Sequence, residues 1–411
     1  MVRVLHVNDF DVRHTAAGGA EQLVRRAIDG QRRSGLESDL FCIADVDDAR
    51  RTAWRYVDNA RARRALRERL HLWMPDIVHL HNIYHVLSPA VLGEIARYRR
   101  GDPCAVVMTA HDAHLVCPNP VLCTTRGGTF TAVDPGDPPT APSIWRGPWD
   151  HRGVRHSWLR RTQHLWNYHL HGRQRIIDRV IAPSRFMAQL MHEAGLRTSV
   201  LPNPIPNRAS SDDHASTGRT SDRLRLLYAG RIAREKGVLQ LLRSLPAHLP
   251  LRLDIFGDGP HRDACERCVE RRTLHDRVTF HGAHDHESIL RAMAAAHVVI
   301  IPSLCHENAP LVAFEALSQR AELLLARRGG LPEIATDAGV GALFEPTEPS
   351  SLVAALESFS RRLDAGELNR FDVDRFLRSR EETVWLDAMA RAYDDVLERV
   401  RSRRCRPCVP E

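Results

Sequence analysis

The sequence predicts an α/β protein built from two doubly wound parallel sheets. Three observations carry this. Short β-rich runs alternate with longer amphipathic segments along nearly the whole chain. Several of those runs are apolar on successive residues, as strands are when helices cover both faces of their sheet. The alternation stops once, at a polar stretch near the middle, and then restarts.

In the first half the strand candidates are residues 2–8, 40–44, 76–80, 105–109, 179–183 and 200–202. Helical patterns lie between them, notably 19–34 and 184–194. The interruption, NRASSDDHASTGRTSD at 207–222, has almost no bulky apolar side chain and is rich in Ser, Asp and Thr, which is linker composition. Beyond it the strand candidates are 225–228, 251–256, 278–280, 298–302, 323–326 and 342–344. Residues 382–399 have helical periodicity, and the last few residues are basic. The predicted organisation is a Rossmann-like domain at 1–206, a linker at 207–222, a second Rossmann-like domain at 223–381, and a C-terminal helix and tail at 382–411. Ligands of such sheets bind beyond the carboxyl ends of the strands, so the expected site is a central cleft that both domains face.

Length and composition agree. A chain of 411 residues is too long for one ordinary core and suits two domains. With 43% hydrophobic and 27% charged residues it reads as a soluble globular protein. No apolar run is long enough to cross a membrane. The start, MVRVLHVNDF, lacks a small-residue cleavage site and reads as a first strand, not a signal peptide. Nine cysteines without regular spacing argue against a disulfide framework, and the expected location is a reducing cytoplasm. A net charge of +7 suits an anionic small ligand, a membrane surface or nucleic acid, and does not choose among them.

Two stretches carry chemistry. Of the 58 lysines and arginines, only Lys236 is a lysine. An ammonium is a compact point charge and a guanidinium a broad fork, so a tight phosphate pocket does not treat them alike. Lys236 sits in GRIAREKG, where strand 225–228 runs into Gly230, Arg231, Lys236 and Gly237. A glycine after a strand lets the backbone approach a ligand, and the following helix offers N–H groups to an anion. The plainer reading is a solvated helix start, which Glu235 would also serve.

The second stretch is ENAPLVAFE, 307–315, after strand 298–302. Pro310 suits the first turn of a helix, with Glu315 two turns in. Glu307 and Glu315 would lie ~12 Å apart if all eight steps were helical, too far for a carboxylate dyad but suited to gripping two ends of one ligand. The alternative is a helix-start acid plus an exposed acid. Against it, Glu315 lies among Val312, Ala313, Phe314, Ala316 and Leu317, an apolar setting that rarely holds an idle carboxylate.

These stretches, with GGAE after the first strand, TAHD after the fourth, APS, LPNPI, FGDGP, VTFHG and GGLPEI, resemble the GT-B-fold retaining glycosyltransferases of glycosyltransferase family 4. The resemblance spans nearly the whole chain. It implies that Arg231 and Lys236 bind a donor diphosphate and stabilise it as it leaves. Glu307 would meet donor-sugar hydroxyls and Glu315 ribose hydroxyls. Backbone at Gly230, Gly257, Asn308, Ala309, Pro310 and Leu311 would line the donor site. Gly18 and Gly19 would form a loop near acceptor and phosphate, and His111 would approach the donor sugar. The family generally needs neither metal nor cofactor for transfer. The segment SQRAELLLARRGG departs from the family pattern, with Arg320 and Glu322 where Gly and Pro are expected, so a shifted strand there is one expectation, and the roles of Gly329, Gly330 and Leu331 stay open.

Other constellations are weaker. His111, His114, Cys117 and Cys123 could ligate zinc, but their spacing matches no closed structural site. Cys265 and Cys268 lie in a helical pattern with no partner pair, and GDGPHR has Arg262 where a dinucleotide fingerprint needs Gly. Residues 151–175 hold six arginines, five histidines, two tryptophans and no acid. Three readings stand: a helix on an anionic membrane surface, a nucleic-acid contact, or an arginine-biased helix closing the first domain.

The expected function is retaining transfer of a hexose-type sugar from a nucleotide sugar, UDP-sugar favoured, to a hydroxyl acceptor. That acceptor would be a glycan, a glycolipid or a small molecule, and the protein would be cytoplasmic, with peripheral contact at the inner membrane face as one option. A GT-B-fold epimerase or phosphorylase is the first alternative. A basic nucleic-acid-binding protein is the second, and no recognition motif supports it.

Overall fold

The computed structural model describes residues 1–14, 18–45, 53–126, 129–132, 153–205 and 223–404. The expected linker at 207–222 lies outside the described residues. The chain forms two compact units. One is built mainly from the residues up to 124, from 153–203 and from 382–404, and the other from 223–381.

The first unit is a six-stranded sheet of β1 (Arg3–Val7), β2 (Glu37–Phe41), β3 (Ile77–Leu80), β4 (Ala105–Thr109), β5 (Arg179–Ala182) and β6 (Thr198–Val200). The order is β2-β1-β3-β4-β5-β6, and every pairing is parallel. The inner strands β3 and β4 are buried throughout, which is why they read as unbroken apolar runs. The two outer strands depart from expectation. β2 was expected at 40–44 but runs Glu37–Phe41, and β6 was expected at 200–202 but runs Thr198–Val200. An edge strand buries one face only, so ESDLF carries polar residues that the apolar run of FCIA outweighed.

The helix Glu382–Arg404 belongs to this unit. Its Trp385, Met389, Tyr393, Val396 and Leu397 share a buried cluster with Val4, Ile77, Ala105, Val107 and Ile181 from the sheet. It also meets the first helix, Gly19–Arg33. A Cβ on Gly30 would lie 2.3 Å from Leu386 Cδ1, so a larger residue there would make the Leu386 side chain shift. Arg26 and Arg33 both hold Glu382, at 2.9 and 2.6 Å.

The basic segment forms a helix at Val154–His164, a π-helical turn at Leu165–Leu170 and a 3-10 turn at Arg173–Ile176. Arg160, Arg161 and His164 are buried within the unit, where no lipid headgroup or nucleic-acid phosphate would reach them. This fits the reading of a helix that closes the domain. No helix among the described residues is long and apolar enough to cross a membrane.

The second unit is a six-stranded parallel sheet of β7 (Leu224–Ala229), β8 (Leu251–Phe256), β9 (Val278–Gly282), β10 (Val298–Ile301), β11 (Glu322–Ala326) and β12 (Ala342–Phe344). Its order, β9-β8-β7-β10-β11-β12, reverses direction between β7 and β10, the point where doubly wound sheets bind ligands. β11 is not displaced by the atypical SQRAELLLARRGG segment. It pairs in register with β10, Val298 opposite Glu322 and Ile301 opposite Leu325. The two odd residues explain themselves. Arg320 sits at φ 60°, the left-handed turn where glycine is easiest, and reaches Asp374 at 2.6 Å. Glu322 is fully buried and takes two hydrogen bonds of 2.7 Å from Arg362 and one of 2.9 Å from the Asn369 N–H. Cys265 and Cys268 are simply core residues of helix Arg262–Arg271.

Candidate functional site

In the second unit, β7 runs into Gly230 and β8 into Gly257, and the two glycines touch. A Cβ on Gly257, at φ 118°, would lie 2.0 Å from the Gly230 carbonyl oxygen. Arg231 follows. Its carbonyl accepts from the Tyr228 hydroxyl at 2.8 Å, and its exposed guanidinium pairs with Glu235 at 3.0 Å. The chain then makes a 3-10 turn, Arg234–Lys236, before the helix Val238–Ser244 begins. The helix start is therefore later than the sequence suggested. Gly237 makes the junction at φ 73°, with its Cα so close to β10 that a Cβ would lie 1.9 Å from the Pro302 oxygen. The Leu304 N–H donates to the Glu235 carbonyl at 2.9 Å, which ties this turn to the loop after β10.

That loop carries Glu307. The Lys236 ammonium donates to Glu307 Oε1 at 2.7 Å, and the Ser303 hydroxyl donates to the same oxygen. Burial pushes the Glu307 carboxyl up, but the Lys236 charge and the two hydrogen bonds outweigh it, and the net pKa is lowered. The backbone is fixed from the far side. The Glu307 carbonyl accepts from the Gly330 N–H at 2.7 Å, and Gly329, at φ 59°, leaves no room for a side chain against it. The glycines of GGLPEI therefore have a structural role: they seat the Glu307 backbone.

Glu315 lies on the helix Leu311–Ser318, which Pro310 precedes as N-cap with no side chain capping the first turn. Asn308 and Ala309 lead into it. The expected spacing is corrected here. Glu307 is in the loop, bridged to Gly329, so Glu315 is little more than one turn into a shorter helix. Glu315 is buried, with His286 Nε2 3.9 Å from its carboxylate.

The remaining predicted residues lie in the first unit. Gly19 opens the first helix and Gly18 is its N-cap, so the pair is a helix start more than a loop. The Gly18 N–H donates to Glu21 at 2.7 Å, and Asn8 Nδ2 reaches the same carboxylate at 3.3 Å. His111 follows β4, and its Nε2 lies 3.1 Å from His81 Nδ1. Burial lowers its pKa to about 4, so it is neutral near pH 7. His114 packs elsewhere, stacked on Tyr84 with ring centroids 3.7 Å apart.

The sequence reading missed a buried histidine group beneath His111. His6 on β1 and His79 on β3 are register partners, and His81 follows β3. All three are buried. A signal was present: His-Leu-His at 79–81 places two imidazoles on one strand face, since side chains alternate. Ser303 carried no comparable signal.

Comparisons with known proteins agree with this layout. Residues 17–207 match the family model described as Glycosyltransferase Family 4, and residues 210–365 match Glycosyl transferases group 1. The chain is 34% identical over 152 residues to alpha-D-kanosaminyltransferase of Streptomyces kanamyceticus, covering 36% of this chain and 38% of the relative. It is 31% identical over 176 residues to glycogen synthase of Thermus thermophilus, covering 42% and 38%. The matched region thus spans little more than a third of these curated relatives. Among solved structures, sucrose-phosphate synthase from Thermosynechococcus elongatus has a TM-score of 0.70 at 16% identity, over 97% of this chain and 100% of that one. Anabaena HepE in complex with UDP-glucose has a TM-score of 0.64 at 15% identity, over 96% and 100%. Two matched segments running from residue 17 to residue 365, on a fold shared with solved GT-B glycosyltransferases, place this chain in glycosyltransferase family 4.

Proposed function

We propose that the protein is a retaining glycosyltransferase that moves a sugar from a nucleoside-diphosphate sugar, UDP-sugar favoured, to a hydroxyl acceptor. The observation that carries the reading is the Lys236–Glu307 pair at the reversal point of the second sheet, made by the sole lysine of an arginine-rich chain. An ammonium held by a neighbouring carboxylate is aimed. A diphosphate arriving at the strand ends then shares or takes over that ammonium, with Arg231 as the more mobile second cation. Glu307 turns to the sugar hydroxyls and Glu315 to the ribose. Charge that builds on the departing diphosphate meets these two cations, and transfer needs no metal. Relatives named as glycosyltransferases, and HepE solved with UDP-glucose, support the donor class.

The test has two parts. Thermal shifts with UDP, GDP, ADP and dTDP identify the base, since a ligand bound only by the folded state raises its stability. Product analysis with the matching sugar donor then follows, with and without acceptor. Product formed without acceptor, or only with inorganic phosphate, would replace the transferase by an epimerase or a phosphorylase. Wild-type turnover in Lys236→Ala would remove Lys236 from the mechanism.

A further inference from the structure

The buried histidines of the first unit form a chain of hydrogen bonds with a direction, and that direction can be read. The anchor is Gln31. Its Nε2 lies 3.3 Å from Met389 Sδ and 3.0 Å from the Tyr393 hydroxyl. A thioether has no proton to give, so the amide group facing it is the NH2. The Gln31 oxygen therefore faces the other way, where it accepts from the Ser38 hydroxyl at 2.7 Å and lies 2.9 Å from His6 Nε2.

Each neutral imidazole has one donor and one acceptor, so this anchor sets every ring in turn. His6 must donate through Nε2 to Gln31, which leaves its Nδ1 an acceptor. His81 Nε2, at 2.9 Å, must then donate to it. His81 Nδ1 is left an acceptor, and His111 Nε2, at 3.1 Å, donates to that. A second branch runs outward from the same amide. Gln31 donates to Tyr393, the Tyr393 hydroxyl donates to His79 Nδ1 at 2.6 Å, and His79 Nε2 donates to the Thr109 hydroxyl oxygen at 2.8 Å. Burial keeps His6, His79, His81 and His111 neutral, all with lowered pKa.

The same group is the strongest metal candidate among the described residues, since ligand atoms of His6, His79 and His81 lie within 4.8 Å of one another. The hydrogen bonds argue against an ion. All six ring nitrogens already have protein partners, and an ion would have to break the His6–His81 bond.

Both branches end at one place. His111 and Thr109 line a single pocket of this unit, together with His81, Leu23, Ile181 and Met389. We propose that the Gln31-anchored network fixes the state of the two polar groups at this pocket: His111 carries its proton on Nε2, and the Thr109 hydroxyl, accepting from His79, is left a donor. His81, His6 and Gln31 are then positioning residues for His111. The kinetic part of this inference rests on the transferase reading; the tautomer part does not.

The experiment is nitrogen NMR on full-length protein labelled with 15N-histidine, with His111 assigned by its loss in His111→Gln. The expected result is a bare Nδ1 and a protonated Nε2 on His111, His81 and His6. His81→Phe should leave His111 as a mixture of tautomers. His81→Asn, whose side-chain oxygen can accept where Nδ1 did, should restore the single form. A protonated Nδ1 on His111 in the wild type overturns the proposal, as does a His111 spectrum unchanged by His81→Phe. Turnover is then followed with UDP-glucose, GDP-mannose, ADP-glucose and dTDP-glucose. His81→Phe should lower kcat about tenfold with little change in KM, as for one lost hydrogen bond, and His81→Asn should recover most of it. An unchanged kcat in His81→Phe overturns the positioning role. No turnover of any donor by the wild type sinks the transferase reading, while the nitrogen shifts still decide the tautomers.

Discussion

The two units solve the same problem in opposite ways. Each is a parallel doubly wound sheet with polar groups gathered near the ends of its central strands. In the second unit those groups are charged and paired, as in Lys236 with Glu307. In the first they are neutral, a histidine chain in which each ring satisfies the next. The difference follows from what a group must do. A fixed cation suits a ligand that brings its own negative charge. A chain of neutral donors and acceptors instead holds each ring by the next and fixes where its proton sits.

The largest expected effect lies on the charged side. Lys236→Ala should lower kcat by ~100- to 1000-fold, the usual cost of removing one electrostatic contact to a developing negative charge. Lys236→Arg should rescue little, because a fork does not fit a site shaped for an ammonium. Steady-state kinetics of the two variants checks both.

Acid should separate the units next. His6, whose pKa falls from 6.5 to about 4 by burial, is neutral in the folded state while its unfolded counterpart takes a proton. Its contribution is fully present above about pH 6.5 and is lost as pH falls towards 4, about 3 kcal/mol by linkage. Glu307 is also lowered, from a starting value of 4.5, so its contribution is present above that value and vanishes at still lower pH. Urea midpoints measured from pH 7 to 4 should fall steadily in wild type and less steeply in His6→Gln. Equal slopes would mean that the histidine chain is protonated in the folded state.

Arg362→Ala should cost about 2–3 kcal/mol, because it strips a fully buried carboxylate of its cation while the exposed arm of Arg362 contributes less. The smallest effect is expected at Arg320→Gly. Relief of the left-handed turn and loss of the Asp374 contact nearly cancel, for a net change within about 1 kcal/mol by thermal melts.

The same contrast explains what the sequence disclosed. Buried strands announced themselves as apolar runs, and ten of the twelve strands in the two six-stranded sheets overlap the expected segments in most of their residues, as at β3, β4 and β8; the short pair Cys123–Arg126 and Thr129–Ala132 was not expected. The edge strands β2 and β6 did not, since their polar residues dilute the signal, whereas the edges of the second sheet, β9 and β12, were expected in place. Lys236, Glu307 and the glycines near them were legible because rare residue types stood at strand ends. The pairing of Lys236 with Glu307 was not, being a contact 71 positions apart. The histidine network spans still greater distances, from His79 to Tyr393, and only its His-Leu-His fragment left a local trace. Arg320 and Glu322 looked like a shifted strand because their partners, Asp374, Arg362 and Asn369, come far later in the chain.

Tyr393 and Met389 reach the histidine floor from the helix Glu382–Arg404, which Gly30 admits to the first unit. On the ribosome this means that the unit begun first is finished last. Until that helix has been synthesised, Gln31 and His79 lack their hydroxyl partner and the nascent sheet keeps an apolar flank uncovered. The flank that Trp385 and Met389 cover in the finished unit is therefore the last part of this core to close.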